Sequence, residues 1–394
     1  MNSKKSFFRK LKSNLMSKSA IYYALILLSS IVFLIVGSSI AGRSEPAEGL
    51  DARRSFAGVV EVINDRFQDE WRETVNFDVR ITDRGDRRGQ IITVTQFVEL
   101  AGERAVIVGD RVIIAYNPWF GENFHFINIA TINQIVVLGI IFLILAVFLG
   151  RLKGLNGIIS LAFSCVAVFM IFIPAVLSGS NVYVVAIIVC IYVIVSTLLL
   201  VIGPNKKAMS AMLGCFGGVI AAMLIMLIMN ATLNLTGLVD HEAAHLYHES
   251  PFSLDMRALI FAGIIFGAVG AIMDVSMSIA SALWELREAG GVRNFKTLVK
   301  SGIAIGQDTL GTMLNTLVLA YMGSSLALIL LLVSRDTSMN ELLNMEQIIT
   351  EFLRALIGSF GMLLTIPLTA VICGWFFSGD ISRGAPHLAK HKRK

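Results

Sequence analysis

Asp274 and Asp308 are the residues of this chain that most need a chemical explanation, because each acid is embedded in a long apolar run. Around the first, Gly263, Gly267, Gly270, Asp274, Ser278, Ser281 and Glu285 follow one another at intervals of three and four, which is one face of an α-helix. Around the second, Ala304, Asp308, Gly311 and Asn315 share a stripe, with Thr312 beside it. Glycines on such a face let another backbone approach closely, and an ionisable side chain in hydrocarbon has to face protein or a water-filled cavity. The chemistry this implies is a proton or cation relay, since low dielectric disfavours a charged carboxylate and so couples its charge to its surroundings. A structural reading stands beside it: a neutral Asp bonded to Ser, Asn or backbone glues helices for ~1 kcal/mol without moving anything. Asp274 lies eleven residues from Glu285, or ~16 Å of helix, and Asp308 eight from Lys300, or ~12 Å, which predicts similar depths.

A second motif is His241, Glu242, Ala243, Ala244 and His245, an HExxH match followed by His248. On a helix, histidines four apart can bind zinc while the glutamate acts as general base, the pattern of a metalloprotease. The competing readings are proton or incidental metal sensing by clustered histidines, and a solvated amphipathic helix. The motif sits in a short loop with no further domain around it to exclude water. Zinc is the cofactor of that reading alone; no P-loop, GxSxG or dinucleotide fingerprint is present, and no other cofactor is expected. Cys165, Cys190, Cys215 and Cys373 all fall in apolar runs, which argues against redox chemistry.

The elements that must carry these residues are set by composition. Of 394 residues, 55% are hydrophobic and 15% charged, with a mean hydropathy of +0.73, so lipid is the expected solvent for most of the chain. Runs of ~20 apolar residues span a bilayer, and eight occur, at 21–40, 131–150, 155–177, 182–202, 208–232, 257–283, 302–333 and 352–377. The net charge of +5 is placed by topology, with no sign of nucleic-acid binding. Lys4, Lys5, Arg9, Lys10, Lys12 and Lys18 precede the first run, and alternate loops carry Arg151 and Lys153, Lys206 and Lys207, Arg287 to Lys300, then Arg383 to Lys394. By the positive-inside rule both termini are cytoplasmic. The first run reads as an anchor, with cleavage near Ser38 to Gly42 as the alternative.

Residues 43–128 differ in kind, with 15 acidic residues, 11 arginines and no lysine, so they are expected outside. Phe77, Val79 and Ile81 alternate with Asn76, Asp78, Arg80 and Thr82, a half-buried strand. Strand-like runs also occur at 59–63, 91–98 and 104–116, with a hairpin connection over 83–89, and together they predict a small barrel. Arg84, Gly85 and Asp86 spell an adhesion tripeptide that turn chemistry explains without a receptor.

The expected fold class is therefore an integral membrane, mainly α protein of about eight transmembrane helices, with a small extracytoplasmic β-barrel-like domain inserted after the first. The domains would be a basic cytoplasmic N-terminus (1–20), an anchor (21–42), the β-rich domain (43–128), a seven-helix membrane domain (129–378) and a basic tail (379–394). Gly214, Gly218, Gly358 and Gly361 read as helix contacts, Pro174 and Pro367 as kinks or ends, and Met223, Met226 and Met229 as packing.

FAGIIFGAVGAIMDVSMSIASALWEL at 261–286 and SGIAIGQDTLGTMLNTLVLAYMG at 301–323 resemble the YibE/F-like family of bacterial membrane proteins, as does the layout of basic start, anchor, exported β-rich segment with a GDxV turn at Gly109 to Val112, and multi-span body. The resemblance implies a multi-pass protein of the bacterial cytoplasmic membrane with Asp274, Glu285, Gln307, Asp308, Asn315 and Thr316 as its typical polar set. The HExxH run lies outside those two segments, in a loop the family is not expected to share. Three functions follow: a permease or channel-like transporter for a small ion or solute, a non-transporting scaffold whose β-domain binds an envelope partner, and the zinc metalloprotease. Besides the lipid bilayer, homo-oligomers are a possible partnership through the glycine faces.

Overall fold

The computed structural model describes residues 18–40, 54–68, 72–83, 87–99, 104–116, 124–249, 254–291, 294–334 and 338–378. The N-terminal residues 1–17, the tripeptide at 84–86 and the tail at 379–394 lie outside the described residues. The chain divides into two compact units, Ser44–Gly154 and the remainder.

In the first unit, β1 (Arg54–Gln68), β2 (Arg72–Ile81), β3 (Ile91–Glu99), β4 (Arg111–Tyr116) and β5 (Phe124–Ile129) form one antiparallel sheet ordered β3-β2-β1-β4-β5. β3 and β5 approach each other, so the sheet curls nearly closed, as the alternation led us to expect. Phe77, Val79, Ile81, Val94, Val112 and Ile114 fill its interior. β5 was not foreseen as a strand, although Phe124 and Phe126 alternate with His125. The GDxV turn is structural: Gly109 takes φ +92°, and Asp110 accepts from the Ile107 N–H at 3.0 Å and from the Arg104 guanidinium at 3.0 Å on both oxygens.

The helices are α1 (Lys18–Ile40), α2 (Ile132–Ala167), a π-helical turn at Val168–Phe172, α3 (Ile173–Leu177), α4 (Val182–Ile202), α5 (Lys206–Leu233), α6 (His241–Glu249), α7 (Met256–Gly290), α8 (Phe295–Ser324), α9 (Leu326–Val333), α10 (Met339–Asn344) and α11 (Glu346–Ser378). Among the described residues six helical runs are long and apolar enough to cross a membrane, not the eight expected: Tyr22–Ile40, Ile132–Leu177, Val182–Ile202, Lys206–Leu233, Met256–Ala289 and Glu346–Ser378. Two causes account for the difference. The runs at 131–150 and 155–177 belong to one helical stretch, broken at Arg151 by a left-handed φ of 51°. The run at 302–333 is split at Ser325, and α8 falls short in apolarity because Gln307, Asp308 and Asn315 interrupt it.

The bundle is organised by α11, which packs against α5, α7 and α8. Its approach to α5 is close because Gly214 and Gly218 carry no side chain; a Cβ on either would strike Thr369 or Thr365. The hydroxyls in this seam are satisfied: Ser276 Oγ donates to the Ala211 carbonyl at 2.6 Å and lies 3.1 Å from Thr369 Oγ1, while Thr365 Oγ1 donates to the Gly361 carbonyl at 2.7 Å. Gly358 and Gly361 meet Leu317 and Ile272, so all four glycines assigned to helix contact make it. Met226 is fully buried, with Met223 and Met229 packed on the same core. α11 runs unbroken through Pro367, whereas Pro174 follows the π turn. Phe33 of α1 stacks on Tyr192 of α4 with ring centroids 4.2 Å apart.

Candidate functional site

α7 and α8 position the two acids. Asp255 caps α7 by accepting from the Ala258 N–H at 3.1 Å, and Asn294 caps α8 by accepting from the Lys296 N–H at 3.0 Å. Each helix then turns an apolar or small face to the bundle: Ile264, Ile272 and Ile279 of α7 are fully buried, and Gly302 and Gly306 of α8 abut Ala370 and Ile366 of α11. This packing fixes which face is left over.

The remaining face is the polar one. Gly263, Gly267, Gly270, Asp274 and Glu285 of α7 are exposed, and Ser278 and Ser281 are half-buried. Ala304, Gln307, Asp308, Gly311, Thr312, Asn315 and Thr316 of α8 are exposed throughout. Among the described residues neither Asp274 nor Asp308 has a hydrogen-bond or ion-pair partner. Thr312 and Thr316 turn their hydroxyl protons back to the Thr309 and Thr312 carbonyls, at 3.0 and 2.9 Å, and so face outward as acceptors.

Two contacts fix the register of the pair. A Cβ on Gly302 would meet Leu283, and one on Gly267 would meet the Tyr321 hydroxyl. Asp274 is therefore level with the Gly311 to Leu314 turn and Asp308 with the Ser278 turn, offset along the axes by roughly one helical turn, ~6 Å. The expected mutual burial of the acids is not made within one chain. Among the described residues no atom lies within 4 Å of where a Cβ on Gly263, Gly270 or Gly311 would be, so the helix contacts expected of them are not made there within one chain. The interior seam is supplied instead by other glycines, which leaves these free. Left against acyl chains, an aspartate at mid-membrane would cost about 2.5–3.5 kcal/mol even on the gentlest scale.

Three polar residues extend the site and were not anticipated. Tyr321 reaches over Gly267, two helical turns from Asp274, and lies within electrostatic range of Arg354 and Glu351. Arg354 Nη1 donates to Glu351 Oε1 at 2.8 Å, and Glu351 Oε2 is buried without a hydrogen-bond partner. A signal was there: Glu351 and Arg354 are an i, i+3 charge pair at the edge of an apolar run. At the opposite end of α8, a groove of ≈ 410 Å³ lined by Phe295, Lys296, Val299, Lys300, Ile303 and Ala304 leads to Gln307.

The HExxH motif lies on α6. α6 is nine residues long, and His241, His245 and His248 lie exposed along it. Among the described residues no group of three His, Cys, Asp or Glu side chains converges to hold a metal. Two histidines one turn apart need a third ligand from another element, and among the described residues none completes such a group. The four cysteines are free thiols, with Cys190, Cys215 and Cys373 buried.

Several membrane-length helices around a buried apolar core, two of whose neighbours carry acids, define a multi-pass membrane protein. A family model described as YibE/F-like protein matches residues 138–379, more than half of the chain and all of α7 and α8, and the chain belongs to that family. No curated protein and no solved structure matches it.

Proposed function

We propose that the chain is a permease or channel-like transporter in which the α7/α8 polar face lines the passage and Asp274 and Asp308 carry a proton or small cation along it. The observation that carries this reading is the recurrence of carboxyl, amide and hydroxyl groups along one exposed stripe on each of two adjoining helices, Asp274 and Glu285 on α7 and Gln307, Asp308, Thr312, Asn315 and Thr316 on α8. Tyr321, Glu351 and Arg354 continue the stripe toward the end where α7 begins, and Glu285 with Lys300 toward the other. Polar groups thus recur along the whole length of the pair, as a path for an ion through hydrocarbon requires.

In the arrangement we favour, both termini are cytoplasmic, α1 is a retained anchor held by Phe33 on Tyr192, residues 43–128 lie outside, and the break at Arg151 divides one stretch into two spans, which together with α8 gives eight crossings. Asp274→Asn and Asp308→Asn, reconstituted in proteoliposomes under a pH gradient, each lower proton or metal-ion flux at least tenfold. Flux at the wild-type rate in both would sink the relay. A second reading, an outer scaffold, is favoured by one feature of the β-domain: Phe67, Thr74 and Phe97 line up across β1, β2 and β3 with both rings exposed. Phe67→Ser with Phe97→Ser would abolish capture of an envelope partner if this is the working surface, and leave flux unchanged.

A further inference from the structure

We propose that the α7/α8 polar face is covered by the same face of a second copy of this chain, so that the membrane form is a two-fold homodimer with Asp274 and Asp308 at its seam. This goes beyond the transport reading and does not depend on it. Cover is required in any case, because Asp274, Gln307, Asp308 and Asn315 are exposed on helices whose lengths and neighbours place them at membrane depth.

The choice of occupant rests on hydrogen-bond complementarity. A two-fold interface sets a surface against itself, so it must carry both partners of every polar contact it makes. This face does: the Asn315 and Gln307 amides donate, and the Asp274 and Asp308 carboxyls accept, together with the Thr312 and Thr316 hydroxyl oxygens, whose protons are already spent on backbone. Its backbone is also bare at Gly263, Gly270 and Gly311, where no described residue comes within 4 Å of a Cβ position. Glycines left open on a membrane helix allow the close approach that lets amides reach carboxyls across helices. The chain's own apolar stretch Ile135 to Leu149 offers the opposite: it has no polar side chain, so lying on this face it would leave all the carboxyls unpaired.

The test uses the full-length chain in lipid vesicles. With a single fluorophore on the C-terminus at low protein density, vesicles are expected to show two bleaching steps, and one step would overturn the proposal. In membranes, with the four native cysteines replaced, Gly263→Cys, Gly270→Cys, Ala304→Cys and Gly311→Cys are oxidised singly. At least one yields a cross-linked band of twice the chain mass, severalfold above Ile220→Cys on the apolar surface of α5, whose side chain is 56% exposed. Dimer bands equal to that control, an adduct with a different protein, or loss of the dimer band when Val137→Cys is added because the two cysteines join within one chain, would each refute it. Flux is read on the same vesicles. Two bleaching steps with no flux would remove the transport reading and leave the dimer; flux from one-step vesicles would do the reverse.

Discussion

The seam between α5 and α11 and the outer face of α7 and α8 are written in the same alphabet, glycines and small polar residues at helical spacing, and the chain uses them in opposite ways. In the seam, Gly214 and Gly218 are filled by Thr369 and Thr365, and Ser276 and Thr365 each find a carbonyl. On the face, Gly263, Gly270 and Gly311 meet no described residue, and among the described residues Asp274 and Asp308 have no hydrogen-bond or ion-pair partner. The difference lies in the polar group that accompanies the glycine. A hydroxyl can satisfy itself on its own helix backbone and then be buried, as Thr365 is; an ionised carboxylate has no proton to give a carbonyl, so its face stays outside until a donor covers it.

That contrast can be broken by one substitution made in both places. Gly218→Ala drives a methyl into Thr365, which is held by its own bond to Gly361, and should lower stability by about 1–3 kcal/mol in a thermal unfolding assay of the solubilised protein. Ser276→Ala, which removes the tie from α7 to Ala211, should cost about 1 kcal/mol in the same assay. Gly263→Ala is the sharpest of the three although its effect is smallest: with open space around it within one chain, it should leave the stability of the detergent-solubilised monomer unchanged or raise it by up to about 1 kcal/mol. A loss at position 263 as large as that at 218 would mean the face is already filled, and the contrast would fail.

Much of this was legible in the residues. Apolar length alone marked most of the spans, and alternation at Phe77 to Ile81 marked a strand that the structure places at the centre of the sheet's core. The stripes of α7 and α8 were legible because helical periodicity is local. What periodicity does not carry is the direction in which a stripe points, and here it points away from the core. α8 itself was read as longer than it is, since an apolar continuation past Ser325 is indistinguishable from a helix that stops and restarts. The histidine motif shows a related limit: spacing along one helix gives two ligands, and a third depends on what other elements bring to it. Tyr321, Glu351 and Arg354 were missed because their meeting joins residues some thirty positions apart, which only packing creates.

One small contact bears on the order in which the protein is assembled. Glu346, at the start of α11, accepts from the Thr236 and Gly237 N–H groups at 2.7 Å each and from the Thr236 hydroxyl at 2.7 Å, across 110 residues of sequence. Gly237 sits at φ +88° with no room for a side chain beside Met256, so the turn after α5 is shaped around that acid. A nascent chain emerges from its N-terminus, and this turn is made long before the residue that closes it. The bundle is thus finished by its last long helix, and a ribosome stalled before residue 346 leaves α5 with its glycine side bare and its connecting turn unlatched.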